Sequence, residues 1–566
     1  MANQTKREEA QLTDLERFTS VSYGVFGSQA RRLARSFPNL KDHLLKSDLN
    51  ITPEGLVSVA LMATYLALLA AVLVAVLGVF VLSVDAFALV LVAPVLVFFV
   101  TVYSPRFSQA NRSSALEHEL PFLVGFMAIL SGGGEGLVDV LRKISGMEIF
   151  PASAKEAERI LADVDIYGIE PVVALEKASR YNPNRWFSDL LAGYATVIKT
   201  GGDHVNYLNG KLKEVFEERA TRVKRSAESI GSLAEVYLIV TVVLGLTVFT
   251  LYLVQTFLVS GSGGITNIEF FAFLVVPIVS AGMVWMVDSI QPKWPFIDYT
   301  PYVVFAGSIP FGLAVYMLPI PTYLFLHVAL ALLVTSLPGA VVATRLSQER
   351  RGVERMLPDF IRDVAEGRKI GLSPEAAIER LIGVDYGLLS SPVHAMAAQL
   401  TWGISLKHVV TSFTDRVQSW ISKASGTLLL EVVEVGGGTV RGFSEMADFT
   451  RRVSLSESET RSALRTYTLI AYISGIMIVG TTFIFVYFLS QGQSLGVTGS
   501  LPGLKITGST VDLLLTAAVF EGWVIGLVAG KMGEGSLAEG FKHSIILVAI
   551  TVLTVAVAGT FFPIPL

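Results

Sequence analysis

Two glycine clusters in this sequence have the composition of loops that bind phosphate groups. They lie at residues 132–136 (GGGEG) and 436–438 (GGG). A nucleotide-binding loop of this kind follows a strand, opens a helix and contains Gly-Lys-Ser/Thr, and neither cluster fits that pattern. The pair Gly530-Lys531 is followed by Met532 and also fails the pattern. We therefore interpret the clusters as turns between helices and expect no nucleotide cofactor and no ATPase activity.

Nucleophiles and metal ligands form no recognisable site either. The chain has no cysteine, which excludes disulfides, thiolate zinc sites, iron–sulfur clusters and cysteine nucleophiles. The seven histidines are His43, His118, His204, His327, His394, His408 and His543. Their spacing matches no paired-ligand motif, and no serine lies in a nucleophile elbow. We predict no catalytic residue, no metal and no cofactor, and therefore a protein that is not an enzyme.

The composition predicts a membrane protein. Hydrophobic residues make up 52% of the chain and charged residues 16%, and the mean hydropathy is +0.58. A helix needs about 20 apolar residues to cross a bilayer. Thr52, Pro53 and Glu54 form a helix-start signal before the first apolar segment. We predict nine membrane spans, at about 56–82, 86–103, 233–259, 270–287, 302–318, 323–343, 468–489, 511–530 and 543–561.

Basic residues orient these spans. Of the 44 lysine and arginine residues, 43 fall on one side of the predicted membrane body. The exception is Lys505. Positively charged loops stay in the cytoplasm, so we expect a cytoplasmic N-terminus and, after nine crossings, a C-terminus outside. The net charge of −4 gives no basic field for nucleic acid, and none is expected as a partner.

The chain also repeats itself. An offset of 237 residues brings Leu120-Pro121 onto Leu357-Pro358, and it aligns several later glycine and apolar positions. Two spans, a polar block and two further spans occur twice, with a ninth span appended. Because each unit crosses four times, we predict parallel repeats that form a platform with pseudo-two-fold symmetry.

Both polar blocks show the spacing of short amphipathic helices, so we predict an all-α polytopic membrane protein with two homologous cytoplasmic helical bundles. The glycines expected at the turns between helices are Gly134, Gly201, Gly202, Gly371, Gly437 and Gly438. The predicted organisation is a cytoplasmic N-terminal segment (1–55), a transmembrane pair (56–103), cytoplasmic domain 1 (104–232), four transmembrane helices (233–343), cytoplasmic domain 2 (344–467) and three transmembrane helices (468–561).

A long polar helix follows the second glycine turn of each block and runs back toward the membrane. Its candidate contact residues are Lys211, Lys213, Arg219, Arg222, Lys224 and Arg225 in the first copy and Arg461 and Arg465 in the second. Such a basic face can dock an acidic partner surface. The alternative, which we favour for any individual residue, is a solvated and internally paired helix face.

Glu521 lies in the middle of a predicted span, where ionisable residues are functional candidates. It either meets a cationic group or remains a neutral or helix-paired carboxyl. Glycines at 522, 526 and 530 form a stripe in the same span. This stripe fits an intramolecular helix contact or the seam of a homodimer.

The repeat, its Leu-Pro start and its two glycine turns resemble the GspF/PilC/TadC domain of type II secretion and type IV pilus systems. Two such units on one chain look like archaeal platform proteins of the FlaJ type. The resemblance implies a multi-pass protein of the cytoplasmic membrane, in contact with lipids, a hexameric secretion ATPase and pilin-like or archaellin-like subunits. It implies that the platform passes ATPase motion to the pilins, for example by rotating. With pilins as partners, the cationic group that Glu521 meets in mid-span is a pilin N-terminus, against the alternative of a neutral or helix-paired carboxyl.

Other functions stay open at this level. A membrane transporter or channel with cytoplasmic regulatory domains also has many spans, although few polar residues lie in mid-span here. A membrane enzyme would need paired catalytic groups, and no motif for them is present. The archaellum, an adhesive pilus and Tad-like secretion are all compatible with the resemblance.

Overall fold

The structure is a computed structural model, and it describes residues 14–47, 49, 51–78, 84–258, 270–291, 298–319, 323–417, 419–434, 440–494 and 508–561. Within these ranges every regular element is a helix, which confirms the predicted all-α class. The chain divides into two compact units, unit 1 (Met1–Lys213) and unit 2 (Glu214–Leu566).

Unit 1 begins with three helices that surround a small apolar core. Ala30, Leu44 and Val57 are buried in it. The third helix starts where the sequence predicts, because the Thr52 hydroxyl accepts a hydrogen bond from the Gly55 N–H at 3.1 Å and Pro53 takes the first helical position. The helices are α1 (Asp14–Ala34), α2 (Leu40–Lys46), α3 (Pro53–Gly78) and α4 (Val84–Gly132).

The rest of unit 1 is a set of four short helices that pack on the end of α4, here called the first bundle. They are α5 (Leu137–Ser145), α6 (Pro151–Asp165), α7 (Pro171–Tyr181) and α8 (Arg185–Lys199). Phe126, Ile144 and Leu191 are among its buried side chains. Gly134 and Gly201 lie in the turns that enter and leave the bundle, with φ of +101° and +67°, a region that favours glycine.

Unit 2 contains the remaining helices, of which α9 (His204–Leu258) includes the boundary between the units. A π-helical turn at Phe271–Val275 precedes α10. The others are α10 (Val276–Ile290), α11 (Thr300–Tyr316), α12 (Leu324–Lys369), α13 (Pro374–Arg380), α14 (Ser390–Thr401), α15 (Leu406–Arg416), α16 (Trp420–Glu434), α17 (Val440–Ser494), α18 (Gly508–Glu534) and α19 (Leu537–Phe561).

Helices α13–α16 form the second bundle, which packs on the end of α12. Gly371 has φ of +90° in the turn before α13, where Ser373 caps the helix through its hydroxyl and the Ala376 N–H. The glycines expected at the later turn, Gly437 and Gly438, lie outside the described residues. The helix order α12–α17 repeats the order α4–α9.

Eight described helices are long and apolar enough to cross a membrane. They correspond to eight of the predicted spans. The segment predicted at 302–318 is the helix Thr300–Tyr316, which is apolar but has only 17 residues. The count of nine spans therefore stays a prediction.

The glycine stripe of α18 packs against α19 within the chain. A Cβ atom built at Gly526 would overlap the backbone of Ser544, and one at Gly530 would overlap the backbone of Gly540. Only glycine allows the two backbones to approach this closely. Of the two alternatives for the stripe, the structure contains the intramolecular contact.

Candidate functional site

The candidate basic faces lie on α9 and α17, which contact each other inside unit 2. Arg219 of α9 forms an ion pair with Glu457 of α17, with Nη2 and Oε1 2.7 Å apart, and Glu457 is only 3% exposed. Nearer the membrane, Gly231 of α9 lies directly against the ring of Tyr467. A buried ion pair and a close helix contact thus hold the two returning helices together.

Glu457 lies in an unusual electrostatic setting. Burial raises its pKa to about 7, while the nearby cations Arg219 and Arg461 lower it and Glu354 raises it. Its second carboxylate oxygen, Oε2, is buried and has no hydrogen-bond partner among the described residues. This carboxyl lies outside the predicted spans, and its burial opposes the loss of its proton.

A second buried carboxylate, Glu354 of α12, connects the second bundle to α17. It forms an ion pair with Arg461 and accepts a hydrogen bond from the Ser419 hydroxyl at 2.9 Å. Ser419 immediately precedes α16. Arg461, predicted as a contact for a partner, is therefore used inside unit 2.

The eight candidate basic residues fall into two groups. Arg222 is half-buried with Glu218 at 3.8 Å, and burial and the neighbouring charge of Arg225 lower its pKa. Interaction partners within the chain are present for Lys211, Lys213, Arg219, Arg222 and Arg461. Lys224, Arg225 and Arg465 are exposed and make no ion pair with any described residue. The exposed group is the part of the face that is available to a partner.

Lys224 also lines a groove between the two returning helices. The groove has a volume of about 410 Å³, and small residues such as Ala220, Ala227 and Ser456 form much of its wall. Glu459 of α17 also lines the groove. The exposed basic residues of α9 therefore lie beside a concave surface.

Glu521 is buried in α18, with 7% of its surface exposed. No hydrogen bond or ion pair joins it to another described residue. It interacts electrostatically with Tyr237 of α9, whose hydroxyl lies 2.8 Å from the hydroxyl of Ser280 in α10. Three helices therefore place polar groups around this part of the apolar interior.

Other charged residues near the span ends have structural contacts. Asp512 accepts hydrogen bonds from the Leu324 and Phe325 N–H groups at 2.7 and 2.9 Å, and so caps the start of α12. Asp288 forms an ion pair with Lys531 at 2.6 Å. No group of three or more metal-ligating side chains is arranged to hold an ion within the described ranges.

Sequence reasoning did not reveal that three carboxylates are buried. Glu156 in the first bundle, and Glu354 and Glu457 in unit 2, have no distinctive motif around them. The repeat offers a weak signal for one of them, because an offset of 237 residues aligns Glu354 with Glu117. Burial depends on the packing of helices far apart in the sequence, which no local pattern reveals.

Both copies of the repeat match a known protein family. Residues 123–252 and 360–487 match the family model described as "Type II secretion system (T2SS), protein F". The chain carries two type II secretion system F domains. Each F domain begins near the end of a long helix, α4 or α12, includes one bundle, and ends in a returning helix, α9 or α17. This confirms the resemblance inferred from the repeat.

The matched domain family also points to a class of protein. F domains occur in membrane platform components of type II secretion and related systems, which are generally non-catalytic. Together with the apolar helices, they make this chain a multi-pass membrane protein. An uncharacterized protein of Methanocaldococcus jannaschii is 20% identical over 503 residues, which cover 80% of this chain and 82% of the relative. No solved structure matches the chain significantly.

Proposed function

We propose that this chain is an assembly platform of the FlaJ type, which couples a hexameric cytoplasmic secretion ATPase to the assembly of pilin-like or archaellin-like subunits. The observation that supports this most directly is the continuity of each F domain with the membrane. The returning helices α9 and α17 have 55 residues each and include both a polar stretch and a predicted span. A force applied to either bundle reaches the bilayer through an unbroken helix.

The length of these helices supports a mechanical role. At 1.5 Å per residue, 55 residues extend about 80 Å, whereas the bilayer core is about 30 Å thick. Roughly 50 Å of each helix then projects from the membrane. The Arg219–Glu457 ion pair and the contact of Gly231 with Tyr467 join the two helices, so that a displacement of one is transmitted to the other.

The orientation belongs to the proposal. We place the N-terminus and both bundles in the cytoplasm and the C-terminus outside the cytoplasmic membrane, because basic residues are concentrated in the N-terminal segment and the two polar blocks. Labelling of intact cells tests this. Modification of residues 104–232 or 344–467 by a reagent that does not cross the membrane would contradict the orientation and the ATPase contact with it.

The ATPase contact is assigned to the exposed members of the basic faces. Long-range attraction between these cations and acidic patches on an ATPase would steer the encounter. Lys224→Glu, Arg225→Glu and Arg465→Glu together should weaken capture of the cognate secretion ATPase by about tenfold or more. The matched control reverses the exposed cations Arg180, Arg185 and Lys407 on the bundles and should change capture less than twofold. Unchanged capture by the first variant would remove these residues from the proposal.

Glu521 is proposed as the intramembrane site for a cationic group, such as the N-terminus of a pilin-like subunit. A buried carboxyl without a hydrogen-bond partner among the described residues gains stability from an incoming cation. Glu521→Gln preserves the shape of the side chain and removes the charge. In a strain that lacks the natural gene, this variant should insert in the membrane normally but fail to support filament assembly. Normal assembly would exclude Glu521 from pilin binding.

A further inference from the structure

A cavity of about 390 Å³ lies inside unit 2, at the level where several predicted spans end. Helices α10, α11, α12, α18 and α19 contribute the ends of their apolar segments, and α16 and α17 contribute residues from the polar side. One side of the lining is apolar and includes Tyr302, Ala343 and Ala538, which also belong to a buried apolar cluster. Many of the other lining residues are charged. The cavity therefore has an apolar part and a charged part.

The carboxylates of the lining are already engaged. Each of these carboxylates forms an ion pair with a residue of the chain or accepts a hydrogen bond from one. The pairs are Asp288 with Lys531, Glu354 with Arg461, Glu534 with Arg351, Glu539 with Lys542, and Asp298 with the Thr300 N–H. These contacts also occupy the cations Arg351, Arg461 and Lys531. An incoming cation would have to compete with them.

Arg350 is the exception among the charged residues of the lining. It is half-buried, and it makes no hydrogen bond or ion pair with any described residue. A partly desolvated guanidinium offers five N–H donors and pairs most strongly with planar or multidentate anions such as phosphate. Ser347, one turn earlier on α12, places a hydroxyl in the same cavity. Arg350 therefore offers an incoming anion a cationic partner that no described residue already occupies.

We propose that this cavity binds the phosphate headgroup of an anionic membrane phospholipid. Arg350 holds the phosphate, and the apolar part of the lining contacts the glycerol and the first part of the acyl chains. The position at the span ends favours a lipid over a soluble anion, because the headgroup region of the bilayer lies at the same level. A lipid bound there would join helices α10, α12, α18 and α19. The proposal does not depend on the function proposed above.

Native mass spectrometry of the delipidated full-length protein, titrated with phosphatidylglycerol in detergent, tests the proposal. Wild-type protein should bind one phosphatidylglycerol tightly, and Arg350→Gln should weaken this binding about tenfold or more, as expected for a lost charge-assisted hydrogen bond. Arg355→Gln is the matched control, because Arg355 is exposed on the same helix and does not line the cavity. Its binding should stay within twofold of wild type.

Further measurements distinguish binding of the phospholipid from binding of other ligands. Diacylglycerol with the same acyl chains should bind far more weakly than phosphatidylglycerol, and millimolar inorganic phosphate should not displace the lipid. Ser347→Trp, which fills the cavity without changing its charge, should also abolish tight binding. Equal binding by wild type and Arg350→Gln, equal binding of diacylglycerol, or displacement by phosphate would each overturn the proposal.

Discussion

The two bundles repeat the same backbone but differ in the polar contacts that hold them. In both, a short helix follows a left-handed glycine, Gly134 or Gly371, and a second left-handed glycine, Gly168 or Gly403, separates the next two helices. The residue before this second glycine is an exposed aromatic in each copy. These features impose the chain path, and duplication has preserved them.

The buried charges follow different plans. In the first bundle, Glu156 of α6 binds Arg112 through two hydrogen bonds of 2.7 and 2.8 Å, and it also contacts Arg159 and Asn182. In the second copy the buried carboxylate Glu354 lies on α12 and faces α17. The buried ion pairs of the first bundle thus centre on one of its own helices, α6. Those of the second copy connect α12 to the returning helix α17. In this chain the two copies share their glycine turns but not their buried ion pairs.

The largest effect that separates the two bundles should come from Glu156→Ala. Arg112 is only 12% exposed, and Glu156→Ala removes the carboxylate that accepts two of its hydrogen bonds. Breaking such a pair costs about 3–5 kcal/mol in the free energy of unfolding. Hydrogen exchange should become faster in residues 151–199 and stay unchanged in residues 374–434.

Glu158→Ala is the control for this experiment, because Glu158 is exposed on the same helix. It should leave the exchange rates of both bundles as they are. Faster exchange in both bundles after Glu156→Ala would show that their stabilities are linked, and the contrast between them would then fail.

The next effect concerns Glu457, which belongs to the returning helix of the second copy. Its pKa is about 7 in the folded protein against an ordinary value of 4.5, so the folded state holds the proton more tightly. Stability relative to Glu457→Gln should therefore fall as pH rises from about 4.5 to 7, by up to about 3 kcal/mol. Thermal denaturation in detergent at pH 5 and pH 8 measures this difference.

Glu459→Gln, an exposed change on the same helix, should show no such dependence on pH. A wild-type protein that gains stability relative to Glu457→Gln as pH rises would show the opposite balance. In that case the ion pair with Arg219 outweighs burial.

The sequence was sufficient to predict the class of fold, the two bundles and the turns described at Gly134, Gly201 and Gly371, because these features depend on local patterns. Apolar segments of membrane length mark the spans, and glycine marks the left-handed turns. Segment 302–318 shows the limit of this reasoning. It is apolar throughout, yet its helix has 17 residues, so composition alone does not decide whether it crosses the bilayer.

The interior charges could not be predicted, since their partners are distant in the sequence. Arg219 and Glu457 are 238 residues apart, and Arg461 lies 107 residues from Glu354. Charge spacing along one helix suggested a solvated face for Arg219 and Arg461, whereas the packing of helices buries their partners. Gly526 is similar, because its spacing fitted two kinds of contact and only the three-dimensional arrangement distinguishes them.

Substitution of the glycine in the second turn should destabilise both bundles by the same amount, and by less than the changes at Glu156 and Glu457. Gly168 and Gly403 have φ of +65° and +78°, which costs an L-residue about 1–2 kcal/mol. Gly168→Ala and Gly403→Ala should therefore destabilise their bundles by similar amounts, as measured by hydrogen exchange. Gly210→Ala, within α9 and with open space around it, should instead stabilise the helix by up to about 1 kcal/mol. Clearly unequal costs at the two turns would show that the copies differ in backbone as well.

The smallest effect should come from the exposed aromatics beside these glycines. Tyr167 and Trp402 are 72% and 78% exposed, so their side chains contribute little to the packing of either bundle. Tyr167→Ser and Trp402→Ser should each change the free energy of unfolding by less than about 0.5 kcal/mol in thermal denaturation. Tyr386→Phe provides the contrast, because the buried Tyr386 donates a hydrogen bond to Asp363 at 2.7 Å and its loss should cost about 1 kcal/mol. A larger loss of unfolding free energy for Trp402→Ser than for Tyr167→Ser would mean that this aromatic residue packs against the protein in the second copy only. The two bundles would then differ at this turn.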